Sequence, residues 1–451
     1  MRRIWAVATN TIRQAIRMRV ALVFVILLLV LLPVLGVTTT GDETLKGRLQ
    51  TFVSYGLSLA SFLLCLLTII ISIYAVTSDI DQRQIYTVIT KPIRRYQYLL
   101  GKLLGVIVLD MVLLVLFSAV IYAVAAYMPR FLDVPENEMI DAKNQFLTAR
   151  AALTVPVVDV TQQVKDRYEE LKRLDRLPPD YTQEQIIAEL TKQAQLAQRA
   201  AGVGESLVWE FDNVKPLSES MFVRFKYDVY PNPPDSQVYG RWLAGDAQVI
   251  KYGQQAKTPI FDEVFKHAVR TFNEIEFPAE VVPESGRLAI AFQNVPANDT
   301  TVIFPPDGLE VLYKADSFTA NFIRAGLMIL CRLVFLACLG ILASSFLSFP
   351  VAILFCLVLF FTASFSGFVI ESFDYLSASV GVVYSYTLKW AIRLLPQFDK
   401  YNPTSFIVPA RLLTWTVLAQ CAFFMVCIKA FLLLALGLLI FAYREMAKII
   451  V

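Results

Sequence analysis

The chain has 451 residues, 56% of them hydrophobic, and a mean hydropathy of +0.56. Soluble domains carry roughly 45–50% apolar residues even with Gly counted, so this composition predicts a membrane protein rather than a soluble enzyme. A net charge of +3 gives no basis for a nucleic-acid partner.

Taken from the N-terminus, Ile4–Arg19 predicts an amphipathic interfacial helix, with its arginines on the polar side and Trp5 at the headgroups. The apolar run that follows is long for a signal-peptide core and lacks the usual small-residue cleavage site, so it predicts a retained span. A span needs about 20 mainly apolar residues. Six segments qualify: 20–37, 52–76, 103–127, 322–347, 350–370 and 412–443. The last is long enough for a broken helix, or for a re-entrant turn followed by a span.

Between the second and third spans lies 78–102, SDIDQRQIYTVITKPIRRYQYLLGK. It is too charged to be buried and too short to be a domain. Ile85, Val88 and Ile89 fall at i, i+3, i+4, the apolar stripe of a short helix. Pro92 stops that helix, and Lys91, Arg94 and Arg95 surround the stop. Such a helix is a handle for a soluble partner.

Residues 129–320 form a polar insert. From Pro129 to Ala320 there are 20 basic and 29 acidic residues, against 21 and 9 in the remainder. The positive-inside rule then puts both termini and the 78–102 loop in the cytoplasm and 129–320 outside. Within the insert, 136–204 predicts a helical stalk, with helices over Val164–Leu174 and Thr182–Ala201 separated by Pro178-Pro179. Residues 205–316 predict a β-sandwich. Its strands are expected over Leu207–Phe211, Met221–Tyr230, Val238–Leu243, Ala268–Phe277, Arg287–Phe292, Thr301–Phe304 and Leu309–Tyr313. All six cysteines lie in apolar segments, so disulfides are not expected in the insert.

In the C-terminal part, SSFLSFP (344–350) predicts a tight hairpin between the fourth and fifth spans. Residues 371–411 are too polar for a plain span and too apolar for a free loop. Three charges fall within spans. Asp110 lies about 12 Å in from Lys102, and Arg332 and Lys429 each lie about 21 Å from the inner ends, at 1.5 Å per residue. They either line a substrate path or hold helices together as ion pairs. Arg324, near the outer end, is expected to snorkel to the headgroups.

No catalytic constellation or metal-ligand spacing is present, and G-x-x-x-x-G-K-[ST] is missing, so the chain is not expected to be an enzyme or to bind a cofactor. The single His267 reads as a surface or packing residue. Asn298-Asp299-Thr300 matches a glycosylation sequon, a weak signal.

The 78–102 stretch resembles the loop after the second span in ABC-2 type permeases, the membrane subunits of ABC exporters. Asp79, Asp81, Arg83, Ile85, Tyr86, Lys91, Pro92, Ile93, Arg95, Leu99, Leu100, Gly101 and Lys102 fit that pattern, and Gln84 stands where Thr is usual. The short hairpin and the 371–411 region resemble the inner loop and outward gate helices of the same permeases. The resemblance covers roughly 1–128 and 320–451 and leaves the insert unidentified. It implies an α-helical polytopic membrane protein with two groups of three spans; the extracytoplasmic α+β domain read from the residue pattern would then bind, release or hand over cargo. It also implies a cytoplasmic ABC ATPase partner carrying the ATP and Mg, a second permease copy or a similar permease, and a bacterial inner-membrane location. Ile85, Val88, Ile89, Lys91, Pro92, Arg94 and Arg95 would then form the coupling helix on the ATPase. Two other readings are a membrane-anchored binding, adhesion or sensor protein without transport, and a membrane enzyme.

Overall fold

Four arginines and a stripe of small residues make the first helix, α1 (Arg2–Arg17), amphipathic: Ala8, Thr11 and Ala15 are buried, while Arg2, Arg3, Arg13 and Arg17 face out. In the computed structural model the described residues are 2–42, 44–82, 94–131, 134–155, 159–174, 183–214, 216, 219–252, 258–306, 308–369 and 396–443. The chain divides into two units, Met1–Ala149 with Asp316–Val451, and Arg150–Ala315.

In the first unit, α1 is followed by α2 (Arg19–Thr38), α3 (Leu45–Asp81) and α4 (Arg95–Phe131). The buried side of α1 packs on α4 at Gly101 and Gly105. A β-carbon on Gly101 would lie 2.6 Å from Val7 Cβ, and one on Gly105 2.7 Å from the Ala8 carbonyl oxygen. Two glycines four residues apart let the backbones touch, as small-residue pairs do between membrane helices. Thus α1 is docked on the bundle, and only part of its surface is left for headgroups; Trp5 is exposed. The short α5 (Glu136–Gln145) also belongs to this unit. Glu138 accepts from the Leu45 N–H at 3.1 Å, and Lys46 donates to Gln145. These bonds tie α5 to the start of α3, and the second unit begins at Arg150.

The second unit contains α6 (Thr161–Arg173) and α7 (Gln183–Ala197), close to the expected stalk helices, and the short α8 (Ala247–Tyr252). Its strands form sheets of order β1-β11-β4-β8, β2-β10-β5 and β3-β9-β6-β7. They are β1 (Thr148–Thr154), β2 (Ala200–Ala201), β3 (Ser206–Phe211), β4 (Ser220–Phe225), β5 (Asp228–Tyr230), β6 (Gln237–Asp246), β7 (Phe261–Ala268), β8 (Asn273–Pro278), β9 (Leu288–Asn294), β10 (Thr301–Ile303) and β11 (Leu309–Ser317). Alternation along β6 buries Val238, Gly240 and Trp242 on one face, as a half-buried strand requires. Trp242 meets Phe225 of β4 at 4.3 Å between ring centroids, and Phe292 of β9 at 5.0 Å. Sheet therefore faces sheet across an aromatic core. Several strands depart from the sequence reading. β1 and β2 lie inside the segment assigned to the stalk. The strand expected over Met221–Tyr230 is two strands, β4 and β5, in different sheets. The strand expected over Ala268–Phe277 shortens to β8, and β7, absent from that reading, precedes it across a turn at Arg270, whose φ is 61°. Asn298 of the sequon is buried. Its amide donates to the Tyr239 carbonyl at 2.6 Å and to Asn294 Oδ1 at 2.8 Å, so it is committed to the fold.

His267 packs edge-on against Phe225 with centroids 5.2 Å apart, and its partial burial holds its pKa below the ordinary value of 6.5. The unfolded chain therefore takes up the proton first, and the stability contributed by the neutral ring falls as pH drops below about 6.5. A pH series of melts of residues 148–317, which span β1 to β11, is expected to show this loss as the pH falls below about 6.5. The His267→Gln variant should lack that component.

The chain returns through α9 (Phe318–Ser344), α10 (Phe349–Ser364), α11 (Thr404–Ile407) and α12 (Trp415–Ala422), then a π-helical stretch Phe423–Ala430 and α13 (Phe431–Tyr443). Leu45–Asp81, Arg95–Arg130, Phe318–Ser344 and Trp415–Tyr443 are each long and apolar enough to cross a membrane. Arg2–Arg17 and Leu22–Thr38 qualify only as a pair bent by 66°. The fifth expected span, 350–370, contains the apolar helix Phe349–Ser364, which at 16 residues is short for a span. The 412–443 segment, expected to be a broken helix or a re-entrant turn, is a continuous helix whose middle widens to π geometry. α9 runs parallel to α3: Ser61 meets Arg332, and Gly340 lies against Ser72, where a β-carbon would collide with the Oγ.

Candidate functional site

The two helices that flank residues 82–94 are tied together by buried charge. Lys102 of α4 and Asp79 of α3 form an ion pair at 2.7 Å, with side chains 1% and 5% exposed. Gln14 of α1 bridges both, donating to Asp79 Oδ1 at 3.0 Å and accepting from Lys102 Nζ at 2.9 Å. The Tyr98 hydroxyl donates to Asp79 Oδ2 at 2.8 Å. Each carboxylate oxygen thus has a charged or neutral donor, which a buried ion pair needs to offset its desolvation. The motif at 78–102 includes Asp79 and Lys102 but does not reveal that they pair, and it gives no sign of Gln14 or Tyr98.

The last helix joins the same end. Tyr98 stacks on Phe441 with centroids 5.8 Å apart. Arg95 donates to the carbonyls of Ala442 at 2.7 Å and Phe441 at 3.3 Å. A guanidinium on terminal carbonyls satisfies acceptors that a helix end leaves open and sits favourably at its negative pole. Arg94 precedes α4 and is exposed. Its N–H donates to Gln97 Oε1 at 3.2 Å, half of a capping box. Residues from four helices (α1, α3, α4 and α13) therefore converge where the 82–94 segment begins and ends. Ile85, Val88, Ile89, Lys91 and Pro92 lie outside the described residues.

Among the described residues, Asp110 and Arg332 form no ion pair with each other. Asp110 is fully buried, and its carboxylate oxygens have no hydrogen-bond partner among the described residues. Arg332 donates to the carbonyls of Phe398 at 2.9 Å and Tyr401 at 3.4 Å and to Ser61 Oγ at 3.4 Å, with its guanidinium 4.9 Å from the Phe398 ring centre. It is not paired with Asp110. Lys429 lies at the end of the π-helical stretch.

Arg332 shares this role with other side chains. Asn321 donates to the Arg411 carbonyl at 2.8 Å and accepts from the Leu413 N–H at 2.8 Å. Gln50 donates to the Val408 carbonyl at 3.0 Å. Arg324 donates to the Leu413 carbonyl at 3.2 Å, pairs with Asp316 and lies over the Trp415 ring. The Arg324 hydrogen bond holds the Asp316 carboxyl below the usual carboxylate range. Arg324 is thus buried and paired instead of reaching for headgroups. Together these side chains satisfy the irregular backbone of 398–413, the condition under which such backbone is tolerated among apolar helices. Of the expected gate region, 371–395 lies outside the described residues.

Residues 5–157, the N-terminal third of the chain, match the family model described as ABC-2 family transporter protein. No curated protein matches the chain. The matched residues include the whole Gln14–Asp79–Tyr98–Lys102 cluster.

Proposed function

We propose that this ABC-2 family chain is the permease subunit of an ATP-driven exporter whose ATPase is a separate cytoplasmic protein. The observation that carries this reading is the buried cluster at the root of the 82–94 segment, inside the family-matched region. A soluble partner that grips Ile85, Val88 and Ile89 would pull on the ends of α3 and α4 together. The Gln14 bridge passes that displacement to α1, and Arg95 passes it to α13. This is a mechanical link between a nucleotide site on one protein and a membrane path in another, working through a two-state element. The acidic insert, residues 129–320, faces the outside and receives or releases cargo. A second copy, or a similar permease, completes the path.

Cross-linking tests the partner. A cysteine at Arg94, in a background without the native cysteines, is expected to cross-link to a cytoplasmic ATPase in membranes and to resist an impermeant thiol reagent in intact cells. Ready labelling from outside would overturn the orientation. Absence of an ATPase among the cross-linked products would leave the anchored binding protein as the better reading.

A further inference from the structure

A second site lies at the opposite end of the first unit. An apolar groove of about 690 Å³ runs between α2 and α4. Its walls are Pro33 and Val37 on one side and Ala123 and Tyr127 on the other. Its floor is set by Gly36, where a β-carbon would lie 2.8 Å from Val124 Cγ1, so the two helices meet below and part above. The groove is polar only at its end, where Thr39 closes α2 and Arg48 projects from the first turn of α3.

Arg48 is the unusual residue. It is half-buried, its Nε is fully buried, and among the described residues its side chain has no hydrogen-bond or ion-pair partner. Among the described residues, the acids that reach the start of α3 are already engaged. Asp42 accepts from the Thr44 N–H and hydroxyl, and Glu138 accepts from the Leu45 N–H. A guanidinium with unspent donors at the mouth of an apolar groove calls for a ligand with an anion at one end and a hydrocarbon at the other. The fork of donors matches a phosphate. Arg130, exposed and 5.1 Å over the Tyr127 ring, adds a second cation beside the groove.

We infer that this groove binds one anionic phospholipid, with an acyl chain between α2 and α4 and its phosphate on Arg48. The inference is independent of the coupling reading. Basic pockets between membrane helices recognise anionic headgroups in this way.

Native mass spectrometry of the full chain tests it, after exchange into a non-ionic detergent and titration with phosphatidylglycerol or phosphatidylcholine of the same chains. Wild type is expected to hold one phosphatidylglycerol per chain, at a concentration about tenfold lower than phosphatidylcholine needs, because the choline cation beside the phosphate is repelled by Arg48 and Arg130. Arg48→Gln should remove the preference. Arg48→Lys, which keeps the charge without the fork, should retain part of it. Ala123→Phe, which fills the groove, should weaken both lipids. Arg13→Gln, exposed on α1, should change nothing. Equal binding of the two lipids by wild type would overturn the inference, as would an Arg48→Gln variant that keeps the preference. Cross-linking of two chains through a cysteine at Ala123 would show instead that a second copy covers the groove.

Discussion

Asp79→Ala is expected to destabilise the protein by about 3–5 kcal/mol, because it leaves Lys102 charged in a site from which water is excluded. Among the described residues, the Gln14 carbonyl oxygen and the face of the Tyr98 ring would remain to hold that ammonium. Lys102→Met should cost less, since Asp79 keeps two donors, Gln14 Nε2 and the Tyr98 hydroxyl. The double variant Asp79→Leu/Lys102→Met should be close to wild type in stability, because apolar pairs of similar volume commonly replace buried ion pairs at little cost. A double-mutant cycle on melts in detergent, with Asp79→Leu and Lys102→Met as the single variants, checks this. Strictly additive losses would mean that the pair does not act as a unit. The same double variant separates stability from function. If the cluster transmits movement, the chain should fold yet lose transport, because α1 is no longer bonded to the helices that flank the 82–94 segment.

Arg332→Met is expected to cost about 2–4 kcal/mol, since a charge-assisted bond is worth about 1.5–3 kcal/mol and the Phe398 and Tyr401 carbonyls both lose one. Arg332→Lys should recover only part of the loss. A point charge cannot span two carbonyls and the Ser61 hydroxyl while lying on the Phe398 ring. Limited proteolysis around 396–413 should accelerate in Arg332→Met and, to a lesser degree, in Arg332→Lys. A melting temperature and a cleavage rate equal to wild type would remove Arg332 from the support of this segment.

Much of the helical framework is legible in the amino-acid sequence. Hydropathy locates the long helices, because about 20 apolar residues have few other uses. Polar helices α6 and α7 and most strands emerge from periodicity. What escapes has specific causes. β7, FDEVFKHA, lies at the edge of its sheet and carries exposed charges, so its alternation is weak. β1 owes its strand state to pairing with β11, a partner far away in sequence. Gln14 looks like any amide on an amphipathic helix, and its partner Lys102 is 88 residues away. Arg324 reads as a snorkelling residue because hydropathy cannot see Asp316 or the Leu413 carbonyl folding over it. The spacing of Gly101 and Gly105 is visible in the sequence, but the helix that docks on them is not.

In the proposed function, the 82–94 segment is where an ATPase drives the membrane helices. The direct measurement is ATP hydrolysis and co-purification in nanodiscs, comparing wild type with Ile85→Asp/Ile89→Asp. Burying each isoleucine in a partner's groove should be worth about 1.5–3 kcal/mol, so losing both should weaken the complex at least about 100-fold. The double variant is expected to fold, to lose the ATPase on purification and to give no stimulated hydrolysis. If it retains the ATPase and full turnover, the segment is a membrane-surface helix and the coupling role assigned to it is wrong.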